Sequence, residues 1–186
     1  MDNLELYLTH QENYDYKELS NILETKINIT KNHVRHIRFI LGFYKILILF
    51  EKYGYIFTDN DYKHIASKYP FILERIPNDN ITDEICKIAV RTEGCVLYYV
   101  PDDKKTDEIC ESAVLQNGFA LQYVPDDKKT DEICESAVLQ NGFALQYVPE
   151  NKKSEKICGI AVGQYKTALK YVPNAIKNKI ISGYKN

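Results

Sequence analysis

From Tyr99 to Pro125 the chain reads Tyr-Val-Pro-Asp-Asp-Lys-Lys-Thr-Asp-Glu-Ile-Cys-Glu-Ser-Ala-Val-Leu-Gln-Asn-Gly-Phe-Ala-Leu-Gln-Tyr-Val-Pro, and the same words return from Tyr123 to Pro149. The phrase Thr-Asp-Glu-Ile-Cys opens at Thr82, Thr106 and Thr130, with a variant, Ser-Glu-Lys-Ile-Cys, at Ser154, and each step is 24 residues. A fixed period of this length marks a stacked array, in which a unit too small to bury its own apolar face covers it with its neighbours.

One unit, Thr106 to Lys129, can be read as a physical object. Thr106 ahead of Asp107 and Glu108 suits an N-cap followed by acids in the positive first turn of a helix. Ile109, Cys110, Ala113 and Val114 then fall on one helical stripe. Asn117-Gly118 predicts a stop through a left-handed residue. A second short helix fits Phe119 to Val124, with Ala120, Leu121 and Val124 turned inward and Pro125 ending it. Asp126-Asp127-Lys128-Lys129 is a polar turn leading to the next cap, Thr130. The alternation of Phe119, Leu121 and Tyr123 also fits a strand, which would make a strand-plus-helix unit of the leucine-rich type. The phrase Leu-x-x-Leu-x-Leu is missing, however, and the helix pair is the better fit. The expected fold is all-α: short two-helix repeats of 24 residues stacked as an α-solenoid, with a helical N-terminal cap.

Comparing the units with one another separates packing from display. Constant slots are Ile85/Ile109/Ile133/Ile157, the cysteines Cys86/Cys110/Cys134/Cys158, Ala89/Ala113/Ala137/Ala161, Val90/Val114/Val138/Val162, Leu97/Leu121/Leu145/Leu169, and the Tyr-Val-Pro triplets ending at Pro101, Pro125, Pro149 and Pro173. These form the stripe that must pack. Slots that change, such as Tyr98/Gln122/Gln146/Lys170, Cys95/Phe119/Phe143/Thr167 and Arg91/Leu115/Leu139/Gly163, are expected to face outward. Candidate partner-binding residues are Tyr98, Gln116, Gln122, Gln140, Gln146 and Lys170.

The recurring phrase Thr-Asp-Glu-Ile-Cys, Ala-Val, Asn-Gly, Ala-Leu, Tyr-Val-Pro resembles the DUF4116 repeat family, which occurs in giant viruses and in some bacteria and protists. The resemblance is strong over residues 82–173 and weak over 58–77. It implies tandem short helical pairs, no established activity and no catalytic residue. A viral origin would place the chain in the host cytoplasm with a host protein as partner. The last unit departs from the pattern, with Tyr165-Lys166 where Asn-Gly stands elsewhere, so a looser corner is expected there.

The ends follow from the period. Residues 58–77 read as a worn first unit, with Thr58-Asp59 on the cap slot, Ile65-Ala66, Leu73 and Pro77 echoing later units and about one residue lost. That gives an N-terminal helical cap over 1–57, five repeats over 58–173 and a C-terminal capping helix over 174–186. Helices are expected near Lys17–Glu24 and Asn32–Tyr53. Asn178 falls on the last cap slot, with a closing helix over Ile180 to Tyr184. Arrays of this kind need polar ends.

Composition bounds the rest. With 45% apolar and 27% charged residues the chain is globular rather than disordered. A net charge of −2 gives no global attraction to nucleic acid or anionic membrane. The longest apolar run, Phe39 to Phe50, is broken by Lys45 and is short for a bilayer span. Met1-Asp-Asn-Leu-Glu lacks the basic start of a secretory signal. A soluble, cytoplasmic protein without a membrane partner is expected. The repeated cysteines should lie about 10 Å apart, beyond disulfide reach of about 7 Å, and pack as reduced apolar groups.

Candidate chemistry is sparse. His33, Arg35, His36 and Arg38 form a basic cluster at the start of the long N-terminal helix. It could serve a phosphate or metal site, but it reads first as a solvated face. His10 and His64 are isolated. The repeated cysteines lie on the apolar stripe, where thiolate formation is disfavoured. The acid pairs Asp102-Asp103 and Asp126-Asp127 sit beside lysines in turns. Tyr99, Tyr123, Tyr147 and Tyr171 suggest a stacked ladder, packed against the core with hydroxyls outward. The expectation is therefore a non-enzymatic scaffold that takes an unidentified protein partner, with no catalytic residue, cofactor or metal. Nucleic acid is not an expected partner. The alternative is an enzyme or nucleic-acid binder using the His33/Arg35/His36/Arg38 cluster.

Overall fold

The computed structural model describes residues 57–183. The chain divides into two compact units, residues 1–61 and 62–186. The N-terminal cap with its two expected helices lies outside the described residues. The described residues form six α-helices: α1 (Asp59–Ala66), α2 (Asp83–Thr92), α3 (Asp107–Gln116), α4 (Asp131–Gln140), α5 (Glu155–Gln164) and α6 (Asn174–Gly183). Each helix from α1 to α5 is followed by a 3-10 segment, at Pro70–Glu74, Gly94–Tyr99, Gly118–Tyr123, Gly142–Tyr147 and Lys166–Tyr171. The second element of each module is thus a tight 3-10 coil, and no strand occurs among the described residues. A further 3-10 turn, such as Asp126–Lys128, leads from most modules into the next cap.

The helix starts are set locally. The hydroxyls of Thr82, Thr106, Thr130 and Ser154 accept from the N–H groups of Ile85, Ile109, Ile133 and Ile157 at 3.2–3.4 Å. Each cap thereby satisfies one of the orphan donors of its helix. α1 carries the reciprocal version: the Asp61 N–H donates to Thr58 Oγ1, and the Thr58 N–H donates to Asp61 Oδ2 at 2.9 Å.

Packing follows the constant slots. Ile109, Cys110, Ala113, Val114, Ala120 and Leu121 are wholly buried, and their equivalents in the neighbouring modules are buried with them, except Leu169, which is half-buried. α2 packs on α3, α3 on α4, α4 on α5 and α5 on α6. The 3-10 segments pack in a parallel series, and α2 to α5 each also lie against the 3-10 segment of the module before. The result is an all-α solenoid of two layers, α-helices on one side and 3-10 coils on the other.

The corner between the layers differs from the expected left-handed stop. Asn117 is extended (φ −148°, ψ 110°), and its side-chain oxygen accepts from the Phe119 N–H at 3.0 Å. Asn141 repeats this geometry. The adjoining glycine answers a different demand. A Cβ on Gly118 would stand 2.3 Å from the Ala137 carbonyl oxygen of the next module, and one on Gly94 would stand 2.3 Å from that of Ala113. Glycine is needed because the next helix backbone sits where a side chain would begin.

The same contact is locked by a glutamine. Gly94, Gly118 and Gly142 donate their N–H groups to Oε1 of Gln116, Gln140 and Gln164 at 2.6–2.7 Å. The Nε2 groups of these glutamines donate back to the end of the preceding helix, at Thr92 O, Gln116 O and Leu139 O. The ends of α2, α3 and α4 are therefore finished by a residue of the next module.

The first module keeps the full 24-residue register: Thr58, Ile72, Leu73, Ile76 and Pro77 match Thr82, Val96, Leu97, Val100 and Pro101, so no residue is lost. It has Pro70 at the glycine slot, which offers no N–H, and Thr92 at the next glutamine slot. The last corner keeps its extended form at Tyr165 (φ −138°, ψ 109°) but has no side-chain cap. Asn178 is not a cap. α6 begins at Asn174 directly after Pro173, because the sequence there lacks the Asp-Asp-Lys-Lys turn that elsewhere delays the helix.

Candidate functional site

The exposed slots of the 3-10 layer lie side by side in successive modules. Tyr98 is 62% exposed, and Gln122, Gln146 and Lys170 occupy the same slot and are also exposed. Gln122 Nε2 donates to the Phe119 carbonyl at 3.0 Å and Gln146 Nε2 to that of Phe143 at 3.1 Å. Each amide is thereby held close to its own coil. Gln146 Oε1 accepts from the Tyr171 hydroxyl at 3.4 Å, and Lys170 Nζ lies 4.6 Å from the centre of the Tyr171 ring.

Gln116 and Gln140, read from sequence as display residues, are spent on the junctions described above. Their amides hold one module to the next, although the side chains are solvent-accessible. One signal for this role was available: glutamine recurs at 116, 140 and 164, each 22 residues after a glycine, whereas the pair at 70 and 92 is Pro and Thr.

Aromatic rings surround the exposed slots in a different pattern from the expected stacked tyrosine column. Phe71 meets Tyr99 edge to face at 6.4 Å, Tyr98 meets Tyr123 at 5.3 Å and Phe119 meets Tyr147 at 6.2 Å. Tyr99, Tyr123 and Tyr147 thus each take the edge or face of a ring from the module before. Tyr98 also lies 5.0 Å from Tyr99, and Phe143 stacks on Tyr165 at 4.5 Å. Phe71 and Tyr98 are the most exposed rings of this surface, so its aromatic area is greatest toward the first modules.

The turns that border this layer are partly self-neutralised. Lys105, Lys129 and Lys153 have side chains only 7–12% exposed and pair with Asp102, Asp126 and Glu150 at 2.5–2.8 Å. The hydrogen bonds from Lys105 and Lys129 hold the Asp102 and Asp126 carboxyls below the usual carboxylate range. Asp103 and Asp127 are exposed, and no ion pair to either occurs among the described residues. On the α-helical side Lys104, Lys128 and Lys152 reach back to Asp83, Asp107 and Asp131 at the start of their own modules at 2.9–3.6 Å.

Cys86, Cys110, Cys134 and Cys158 are free thiols in the core, and burial pushes each up to about 11. Protonated thiols of this kind are poor nucleophiles. Cys95 is half-buried, and its sulfur receives the Asn117 amide at 3.2 Å. Native-state alkylation at mildly alkaline pH is therefore expected to modify Cys95 first. The four core thiols should react only on unfolding or as the pH nears about 11. Mass spectrometry of the labelled protein checks this, and equal labelling of all five cysteines in the folded state would contradict the packing.

Among the described residues no group of His, Cys, Asp and Glu is placed to hold a metal ion. His64 lies exposed on α1. His10 and the His33, Arg35, His36 and Arg38 cluster lie outside the described residues. No described helix is long and apolar enough to cross a membrane.

A family model described as a domain of unknown function (DUF4116) matches residues 82–129, 106–153 and 130–177. The chain belongs to the DUF4116 family. Each DUF4116 match covers 48 residues, two modules, and begins at a capping threonine. The first therefore encloses one whole junction, Gly94 with Gln116, the smallest piece of this fold in which a helix end is completed. No curated protein and no solved structure matches the chain.

Proposed function

We propose that this DUF4116 array is a non-enzymatic scaffold that holds a protein partner along its 3-10 layer and works in the cytoplasm. One arrangement carries the reading. Tyr98, Gln122, Gln146 and Lys170 are exposed, offer three chemistries (phenol, amide and ammonium) and stand at a single slot of a backbone fixed by buried constant residues. Such a surface can change what it recognises without changing how it folds. Four reduced, packed cysteines suit a reducing compartment, and their raised pKa values disfavour cysteine-based catalysis.

Affinity capture with the full chain tests the reading. A variant carrying Tyr98→Ala, Gln122→Ala, Gln146→Ala and Lys170→Ala should fold and lose the partner. A variant carrying Leu115→Ala and Leu139→Ala, on the exposed side of the α-helical layer, should keep it. Capture that ignores the first set, or that follows residues 1–57 alone, would move the binding site away from the repeats.

A further inference from the structure

We infer that the 3-10 layer takes a proline-rich segment in polyproline II conformation that carries Arg or Lys. The inference rests on the scaffold reading and specifies its partner.

Ring chemistry is the first support. Phe71 and Tyr98 are 46% and 62% exposed, and edge-to-face contacts with Tyr99 and Tyr123 hold them in place. Flat, fixed aromatic surfaces with hydroxyl donors recognise proline rings and the outward carbonyls of a polyproline helix. Such a ligand is already extended, so little chain entropy is lost on binding.

Periodicity is the second. Modules built on packed helices recur about every 8–10 Å. A polyproline helix turns once in three residues, about 9.3 Å at its rise of about 3.1 Å per residue. One ligand turn therefore spans about one module, so that turns seated on the modules of Phe71 and Tyr98 meet rings and the turns that follow meet the amides of Gln122 and Gln146.

Charge is the third. Lys105 and Lys129 neutralise Asp102 and Asp126, which leaves Asp103 and Asp127 as exposed carboxylates one module apart. They follow the Tyr-Val-Pro triplets at the end of the aromatic coils. Basic side chains on the ligand complement them, whereas the phosphates of a single-stranded nucleic acid, which could also stack on rings, are repelled.

Fluorescence anisotropy with the full chain and a labelled Pro-Pro-Arg repeat of about twelve residues, roughly four polyproline turns, tests the inference. The peptide should bind at least about tenfold more tightly than a Gly-Gly-Arg peptide of equal length and charge, because only the former is pre-extended. Tyr98→Ala should weaken binding about tenfold, in the range of an interface anchor, while Tyr98→Phe keeps most of it. Asp103→Asn with Asp127→Asn should weaken binding several-fold and flatten its dependence on salt. Thermal melts establish that the variants fold.

Equal affinity for the two peptides, indifference to Tyr98→Ala, or tighter binding of oligothymidylate would each overturn the inference, as would no peptide binding by the folded chain. If the peptide fails while capture of a partner still depends on the exposed slots, the polyproline assignment falls and the scaffold reading stands.

Discussion

Replacing Gly118 with alanine is expected to destabilise the array by about 3 kcal/mol, combining overpacking of about 1–3 kcal/mol with a lost hydrogen bond of about 1 kcal/mol. The new Cβ would stand 2.3 Å from the Ala137 carbonyl oxygen, a backbone atom of α4 that also accepts the Asn141 N–H at 2.9 Å. Relief requires α4 to move, and that movement stretches the 2.6 Å bond from Gly118 N–H to Gln140. Three companions calibrate the effect. Gln140→Ala removes the lock without the clash and should cost about 1–2 kcal/mol. Gly142→Ala should cost less than Gly118→Ala, since its Cβ would meet Ala161 O at 2.9 Å. Gly159→Ala should stabilise by about 1 kcal/mol, because Gly159 lies inside α5 and its Cβ would meet only Ile180 Cδ1, at 4.0 Å. Urea unfolding followed by circular dichroism measures all four. A neutral Gly118→Ala together with a harmful Gly159→Ala would refute the junction.

Truncating Leu121 to alanine should cost about 2–5 kcal/mol, and truncating its neighbour Gln122 less than about 0.5 kcal/mol. Leu121 is fully buried between the α-helical and 3-10 layers, whereas Gln122 is exposed and bonds only to its own coil. Leu145→Ala should match Leu121→Ala, since it occupies the equivalent buried place in the copied module. Leu169→Ala should cost less, because Leu169 is half-buried. Denaturant midpoints give the comparison, and equal costs at 121 and 122 would mean that the inward stripe is wrongly assigned.

Features set by near neighbours were legible from sequence. The threonine caps, the buried Ile, Cys, Ala, Val and Leu slots, and the proline that closes each 3-10 coil all follow from chemistry within a few residues. The corner was misread for the opposite reason. Asn117-Gly118 has the composition of a left-handed helix stop, yet its glycine answers to the Ala137 carbonyl, 19 residues downstream. Gln116 and Gln140 look like display residues until each is paired with a glycine in the previous module. The tyrosines form edge-to-face steps because phenylalanine or a second tyrosine from the preceding module intervenes. For Tyr98, Gln122, Gln146 and Lys170 the reading needed only that an inconstant slot be exposed, and all four are.

Because the ends of α2, α3 and α4 are completed by the following module, both kinds of joint residue, the glycine and the glutamine, travel together in any 24-residue stretch between Gly94 and Gln164. A gene that copies such a stretch in frame inserts a spacer whose seams already fit, as the verbatim copy at 123–149 does. The backbone corner at Asn141 repeats that at Asn117 to within a few degrees. The length of the array then becomes a matter of copy number: recombination can lengthen or shorten it without any point mutation in its core.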